Sequence, residues 1–389
     1  MRLGFHYHIP AIQNSAGRVC MPAYLGRFVD SLAGLCTEMV CFQYSPLPHE
    51  EYLMDYAVNS PNITLVDIGP HTSVPKTMLR LPGILPLISA WRNRLDVFLL
   101  RGPSPLLPFI AREMRDLPVV LLLVGDSVKG VDDLPQPFFR KELIRLFWLW
   151  NRHLQTQVAR KSLTFVNSHS LFDELHPVIP HLIETHTTTL SNMDFFERED
   201  TCLLPPYHLL YTGRMDRGKG LFIMVEAVAA LVQQGEDVIL DLVGWPEKGD
   251  TILEEIKTLS HKRAISERVV YHGFKTLGPE LFAHYRKADI YVIASQSSEG
   301  FPRTIWEAMA HSLPVVATKV GSIPDFLDGA AALVAPADVA ELVGSISRLL
   351  HNSDLRRSLI QRGLALARQN TLESQTASMV EYIRQWLNQ

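Results

Sequence analysis

The 389-residue chain has no large excess of either charge: 37 Lys and Arg stand against 41 Asp and Glu, a net charge of −4. A nucleic-acid-binding chain normally carries a marked basic excess, so that class of partner is not expected. Cysteine is scarce. Cys20, Cys36, Cys41 and Cys202 form no C-x-x-C pair, and no histidine cluster has zinc spacing. They read as reduced thiols of a cytosolic protein, without a disulfide framework or zinc site. Long apolar runs are missing: "LPVVLLLVG" at 117–125 falls well short of the ~20 residues that a spanning helix needs. The start, "MRLGFHYHIP", lacks a basic segment followed by an apolar one, so no secretory signal is expected.

What is present is the composition of a globular chain, 47% hydrophobic and 20% charged, long enough for two or three domains. Short β-rich runs alternate with longer helical patterns. "RLGFHYHI", "EMVCFQYS", "NITLVDI", "DVFLLR", "PVVLLLVG" and "SLTFVNS" are candidate strands of the first half. A second series runs "HLLYTGRM", "VILDLVGW", "RVVYHGF", "DIYVIAS", "PVVATKV" and "AALVAP", with helical stretches such as 219–234 and 251–264 between. Apolar strands alternating with helices predict an α/β protein with parallel sheets covered on both faces. Two such series predict two doubly wound domains. Periodicity is lost near 180–195, which places the boundaries at 1–188 and 189–370. Residues 371–389 then form a helix packing back on the first domain.

In such sheets ligands lie beyond the C-terminal strand ends. There "SSEGFPRTIWEAMA" (297–310) sets Glu299 and Glu307 on either side of a strand break and a helix start. Pro302 suits a first helical position, and the free N–H groups of Arg303 and Thr304 then make an anion seat. Two acceptors flanking a phosphate seat suit a phosphate joined to polyols; two solvated acids are the bland alternative. "HLLYTGRMDRGKGLFIMVEAV" (208–228) adds Gly213, Arg214, Lys219 and Gly220 at another strand end. Two cations and glycines there suit a diphosphate, although basic residues in such loops also arise by chance. The full P-loop pattern G-x-x-x-x-G-K-[ST] is absent.

Together, "TGRMDRGKG", "EGFPRTIWEA" and "LPVVATKVGSIPDFL" resemble the retaining GT-B glycosyltransferases of family 4, also called group 1. The resemblance is specific over 208–340 and looser before it. It implies two Rossmann-like domains facing across a deep cleft, with a UDP- or GDP-sugar as donor substrate, held mainly by the second. It implies no metal or other cofactor, and no D-x-D motif stands in a suitable loop. By position, Arg214 and Lys219 would hold the donor diphosphate, Glu307 the ribose hydroxyls and Glu299 hydroxyls of the transferred sugar. The backbone from Gly300 through Phe301, Pro302 and Arg303 to Thr304 would cradle phosphate and sugar, beside Gly213. "YHGFKT" brings Gly273, Phe274 and Lys275 to the base. Gly17 would approach the diphosphate or acceptor, although Ala16-Gly17 replaces the usual glycine pair. "VVLLLVGDSVKG" ends in Gly125 and Asp126, where many relatives carry a His. Asp126 either takes a polar role there or caps the following turn. The groups placed nearest the reacting atoms are Glu299, Asp126, Lys219 and Arg214. Retention would follow from front-face attack on an oxocarbenium-like donor. A non-catalytic nucleotide-sugar-binding component of a polysaccharide assembly complex, or a GT-B phosphorylase or epimerase, is the alternative.

One more region is informative. "QPFFRKELIRLFWLWNRHLQTQVARKS" (136–162) sets Arg140, Lys141, Arg145, Arg152, Arg160 and Lys161 against Glu142 alone. Its aromatic and leucine residues recur at helical spacing, the composition of a membrane-surface helix. "VPKTMLRLPGILPLISAWRNR" (74–94) adds four basic residues and no acid. The expected contacts are Phe139, Arg140, Lys141, Arg145 and Trp148; core helices with basic solvent faces are the alternative. Membrane contact would suit a saccharide acceptor linked to a polyprenyl lipid, as in surface polysaccharide or glycolipid assembly, on a cytoplasmic protein peripheral to the inner face.

Overall fold

Continuous apolar runs bounded by glycine, proline or polar residues form the strands, because both faces of a parallel sheet are buried. The computed structural model describes residues 1–125, 128, 131, 137–247, 249–296, 301–327 and 329–388. The chain divides into two units, Met1–Thr187 with Glu373–Gln389, and Thr188–Leu372.

The first unit runs β1 (Arg2–His6), β2 (Ile12–Gln13), β3 (Val19–Met21), α1 (Ala23–Ala33), β4 (Glu38–Ser45), β5 (Tyr56–Ala57) and β6 (Ile63–Pro70). It continues through α2 (Val74–Leu79), α3 (Leu81–Ser89), β7 (Val97–Gly102), α4 (Leu107–Glu113), β8 (Val119–Leu123), α5 (Phe138–Ala159), β9 (Leu163–Val166), α6 (His169–Leu175) and β10 (Leu182–Glu184). The parallel sheet has the order β10-β9-β8-β7-β1-β4-β6, doubly wound about β1 and β7. All six expected strands are present. β10 is an addition inside the stretch that had seemed aperiodic. Between β1 and α1 stands an antiparallel β2–β3 hairpin in place of a simple glycine loop. Gly17 lies in its turn at φ +75, donating to the Asn14 carbonyl, so the turn itself accounts for the glycine.

Helix α5 is two helices in character. Asn151, Gln155 and Ala159 are buried at i, i+4 spacing, whereas no residue from 138 to 150 is buried. Phe138 and Phe139 are three-quarters exposed, and Leu143, Leu146 and Trp150 about half. Of the residues expected to meet a membrane, Phe139 and Arg140 are exposed, while Lys141, Arg145 and Trp148 are half-buried. Trp148 lines a small cavity with Leu171 and Leu175, and Arg145 pairs with Glu142. The outward tryptophan is Trp150. Asp126 lies outside the described residues.

The second unit runs β11 (Tyr207–Met215), α7 (Leu221–Gln233), β12 (Val238–Pro246), α8 (Ile252–Lys262), β13 (Val269–Tyr271), α9 (Pro279–Lys287), β14 (Ile290–Ile293) and α10 (Arg303–Ala310). It ends with β15 (Val315–Thr318), α11 (Ile323–Leu327), β16 (Ala332–Val334), α12 (Val339–His351) and α13 (Ser353–Gln369). The order β13-β12-β11-β14-β15-β16, all parallel, is the Rossmann order, which reverses between β11 and β14. The last helix, α14 (Leu372–Leu387), belongs with the first unit. Thr376 bonds Ser31 at 2.7 Å, Gln375 accepts from Thr185 at 3.1 Å, and Arg384 donates to the Leu35 carbonyl. Among the described residues no helix is long and apolar enough to cross a membrane.

Buried histidines make the first unit acid-sensitive. His6 at the end of β1 is fully enclosed, and burial pushes its imidazole down to about 4, against a smaller opposing effect of the Phe42 carbonyl, 2.8 Å from its Nδ1. His8 is lowered to about 4, again chiefly by burial. The folded chain therefore binds fewer protons than the unfolded one between about pH 6.5 and about pH 4. Stability is full above that window and falls through it, by on the order of 3 kcal/mol for His6. Melting should drop from neutral pH to this range, and His6→Asn, which keeps a donor for the Phe42 carbonyl, should flatten the drop. Equal pH slopes in the two proteins would contradict the assignment.

Candidate functional site

At the switch point of the second sheet, the chain leaving β11 meets the chain leaving β14. The main-chain N–H of Gln296 donates to the Gly218 carbonyl at 2.7 Å, lacing the two loops that carry the motifs. Gly220, at φ +69, permits this: a Cβ there would stand 1.8 Å from the Ala294 carbonyl oxygen. Lys219 is half-buried at the end of the single helical turn Arg217–Lys219. Arg214 is half exposed, its Nε 3.1 Å from Asp216 and a terminal nitrogen 3.2 Å from Glu247. An incoming anion would exchange with those carboxylates for the guanidinium.

Helix α10 begins at Arg303, with Pro302 as the residue before the first turn. The main-chain N–H groups of Arg303 and Thr304 have no acceptor within the helix, since the first bond of this turn is Ile305 to the Pro302 carbonyl. A helix start of this kind is a favourable place for an anion. Phe301 stacks on Trp306 at 4.2 Å and meets Phe326 edge-on, fixing the approach to the first turn. Glu299 and Gly300 lie outside the described residues.

Glu307, expected to face ribose hydroxyls, is only 4% exposed. Its Oε1 accepts from the Thr189 hydroxyl at 2.6 Å and its Oε2 from the Tyr285 hydroxyl at 2.8 Å. Ile305 and Met309 on the same helix are buried against the sheet. The network extends further: Thr212 bonds Tyr285 at 2.6 Å, and the Tyr291 hydroxyl donates to Thr304 at 2.6 Å. Burial, and then the neighbouring Glu307, hold the Tyr285 phenol well above its ordinary range, so it remains a donor. Glu307, Thr212 and Thr304 are therefore held by one buried lattice of hydroxyls, joining the end of β11 to the start of α10.

Beside Gly213 the strands β11 and β12 pair Arg214 with Trp245. Gly244 is forced by contact, since a Cβ would lie 1.8 Å from the Gly213 carbonyl oxygen. Trp245 and Phe274, 46% and 50% exposed, meet edge-to-face at 5.3 Å. Gly244 donates to the Gly273 carbonyl, and the Tyr271 hydroxyl to the Gly244 carbonyl. Underneath, the buried Asp241 lies 2.6 Å from both His208 Nδ1 and His272 Nε2. Burial alone would raise its carboxyl, but the two histidine bonds outweigh burial and hold it below the usual carboxylate range. Gly273 and Phe274 thus stand on a tied segment, with Lys275 half-buried after them. The sequence reading included Phe274 and missed Trp245, whose signal was a tryptophan directly after the strand-end glycine of "VGWP". Among the described residues no group of three or more His, Cys, Asp or Glu is arranged to hold a metal ion.

The fold and part of the sequence have counterparts. Residues 206–352 match the family described as Glycosyl transferases group 1. The chain is 30% identical over 187 residues to the D-inositol 3-phosphate glycosyltransferase of Arthrobacter sp. (strain FB24), covering 46% of this chain and 44% of that protein. It is 28% identical over 164 residues to the lipopolysaccharide 1,2-N-acetylglucosaminetransferase of Salmonella typhimurium, 41% of this chain and 42% of that one. The chain spans less than half the length of these curated relatives. In fold it resembles the sucrose-phosphate synthase of Thermosynechococcus elongatus, with a TM-score of 0.73, 20% identity, and 100% and 99% of the two chains covered. Anabaena HepE, solved with UDP and glucose, follows at 0.71, 16% identity, and 99% and 100% coverage. The architecture is the α/β GT-B fold, and residues 206–352 carry the similarity to the group 1 glycosyl transferases.

Proposed function

We propose that this chain is a retaining glycosyltransferase that moves a hexosyl unit from a UDP- or GDP-sugar to a saccharide acceptor. The observation carrying the proposal is the convergence of Lys219, Arg214 and the N-terminal end of α10 where β11 and β14 end, with the two loops tied by the Gln296 N–H on the Gly218 carbonyl. Two cations and two aligned N–H groups at one place suit a diphosphate. Trp245 and Phe274 offer aromatic faces for the base, Glu307 would take the ribose and, by its place in the sequence motif, Glu299 the transferred sugar. The acceptor hydroxyl attacks the anomeric carbon from the side on which the diphosphate leaves. Its proton passes to the departing phosphate oxygen, and Lys219 and Arg214 neutralise the charge that develops there. The relative from Salmonella acts in lipopolysaccharide synthesis by its name, which supports an acceptor carried on lipid. The exposed apolar half of α5 supports contact of the first unit with a membrane surface.

Melting the protein with UDP-glucose, GDP-mannose and ADP-glucose in turn tests the donor assignment. One UDP- or GDP-sugar should raise the midpoint, by the equivalent of roughly 3 kcal/mol at a hundred times its Kd, and release nucleotide when membrane extract supplies acceptor. Stabilisation by none of them would remove the proposal; stabilisation without nucleotide release would leave a binding protein.

A further inference from the structure

The first unit holds a second basic feature, at the edge of its sheet opposite the C-terminal strand ends. A groove of about 900 Å³ opens where β8 and β9 begin. Arg112 comes from the last turn of α4, Arg115 from the turn after it, Arg160 and Lys161 from the turn closing α5, and Trp386 from the end of α14. The four cations are exposed. Among the described residues Asp116 is the one acid lining the groove, and it lies 3.7 Å from Arg92 and 3.9 Å from Arg115. Among the described residues no carboxylate pairs with Arg112, Arg160 or Lys161. Cations after helix C-termini complement the helix dipole, but that role needs no apolar floor. This groove has one, in Leu117, Val119, Leu154, Phe109 and Trp386. The Phe109 ring lies 6.0 Å from that of Trp150, so the floor continues onto the exposed apolar side of α5.

We propose that this groove seats one anionic membrane lipid, its phosphate among Arg112, Arg160 and Lys161 and its chain along Phe109 and Trp386. An apolar floor ringed by cations suits an amphiphile, whereas a polyanion such as RNA would leave that floor uncovered. The groove rests on the proposed contact of the first unit with a membrane surface, with or without α5, and adds to it a preference for headgroup charge. Each basic residue at an anionic surface strengthens attachment about fivefold at low salt.

The test is sedimentation of the full chain with vesicles of phosphatidylcholine alone or mixed with phosphatidylglycerol. Wild type should pellet with the mixed vesicles and weakly with the neutral ones. Arg112→Glu/Arg160→Glu, at exposed positions, should lose at least tenfold in affinity for the mixed vesicles while melting normally. Phe139→Ser/Leu143→Ser should weaken attachment to both. If only the groove variant matters, the α5 reading fails and the groove stands. Wild-type binding by a normally melting groove variant, or equal binding to both vesicles, overturns the groove. A soluble arm separates lipid from free phosphate: dihexanoyl phosphatidylglycerol should compete with vesicles. Inorganic phosphate competing at the same concentration would overturn the lipid assignment. Nucleotide-sugar stabilisation, read in parallel, reports the donor site separately.

Discussion

Glu307→Ala is expected to lose both donor binding and part of the fold. In the free protein the carboxylate is buried, and its oxygens accept from Thr189 and Tyr285. Truncation leaves both hydroxyls without that acceptor in a closed space, costing about 2–4 kcal/mol of stability. In the donor complex proposed above, the ribose hydroxyls would meet an acceptor that the buried hydroxyls already hold in place. Two charge-assisted bonds to ribose then add about 3 kcal/mol or more, a loss of at least ~100-fold in kcat/KM. Glu307→Gln separates the two effects. It keeps the shape and one acceptor oxygen, so melting should fall much less than in the alanine variant while donor affinity still falls. Melting curves with and without nucleotide-sugar read both quantities on the same sample. An alanine variant that melts as wild type and is still stabilised by donor would refute the role of Glu307.

The strands of both units could be read from the sequence because each buried parallel strand is a continuous apolar run, as in "VVLLL" of β8 or "IYVI" of β14. β10 and the β2, β3 and β5 pieces, two or three residues long, escaped; β13 and β16 are as short, but they stand at the expected places of the strand–helix alternation. The loops carrying Arg214, Lys219 and Arg303 were legible from residue type and position at strand ends. What surrounds Glu307 was not. Thr189 lies 118 residues before it and Tyr285 22 before, so no local spacing joins them. The tie beneath Phe274 is similar, since Asp241 reaches His208 and His272 across 33 and 31 residues. Pairings of this kind depend on which strands are neighbours. Trp245 was missed for another reason: a lone tryptophan after a strand reads as core until its exposure is known.

Removing the two cations should act on turnover with little effect on folding, and unequally. Lys219 is half-buried on a turn pinned by Gly220 against Ala294, so its ammonium is preorganised and partly shielded from salt. Arg214 is half exposed and shared between Asp216 and Glu247, so its net gain on meeting a diphosphate is reduced by the partners it leaves. Lys219→Ala should therefore lower kcat by about 10²–10³-fold, the scale of one preorganised charge on a developing anion. Arg214→Ala should fall mainly in donor KM, by about tenfold at low salt and less as salt rises. Both variants should melt within about 0.5 kcal/mol of wild type, as changes outside the core do. Glu247→Gln supplies the converse: freeing Arg214 from one competitor should lower the donor KM. Initial rates of nucleotide release over a salt series measure all three. Unchanged kcat in Lys219→Ala would mean that the leaving diphosphate is stabilised elsewhere, while a salt-independent loss in Arg214→Ala would mean that its guanidinium is buried on the donor in the bound state.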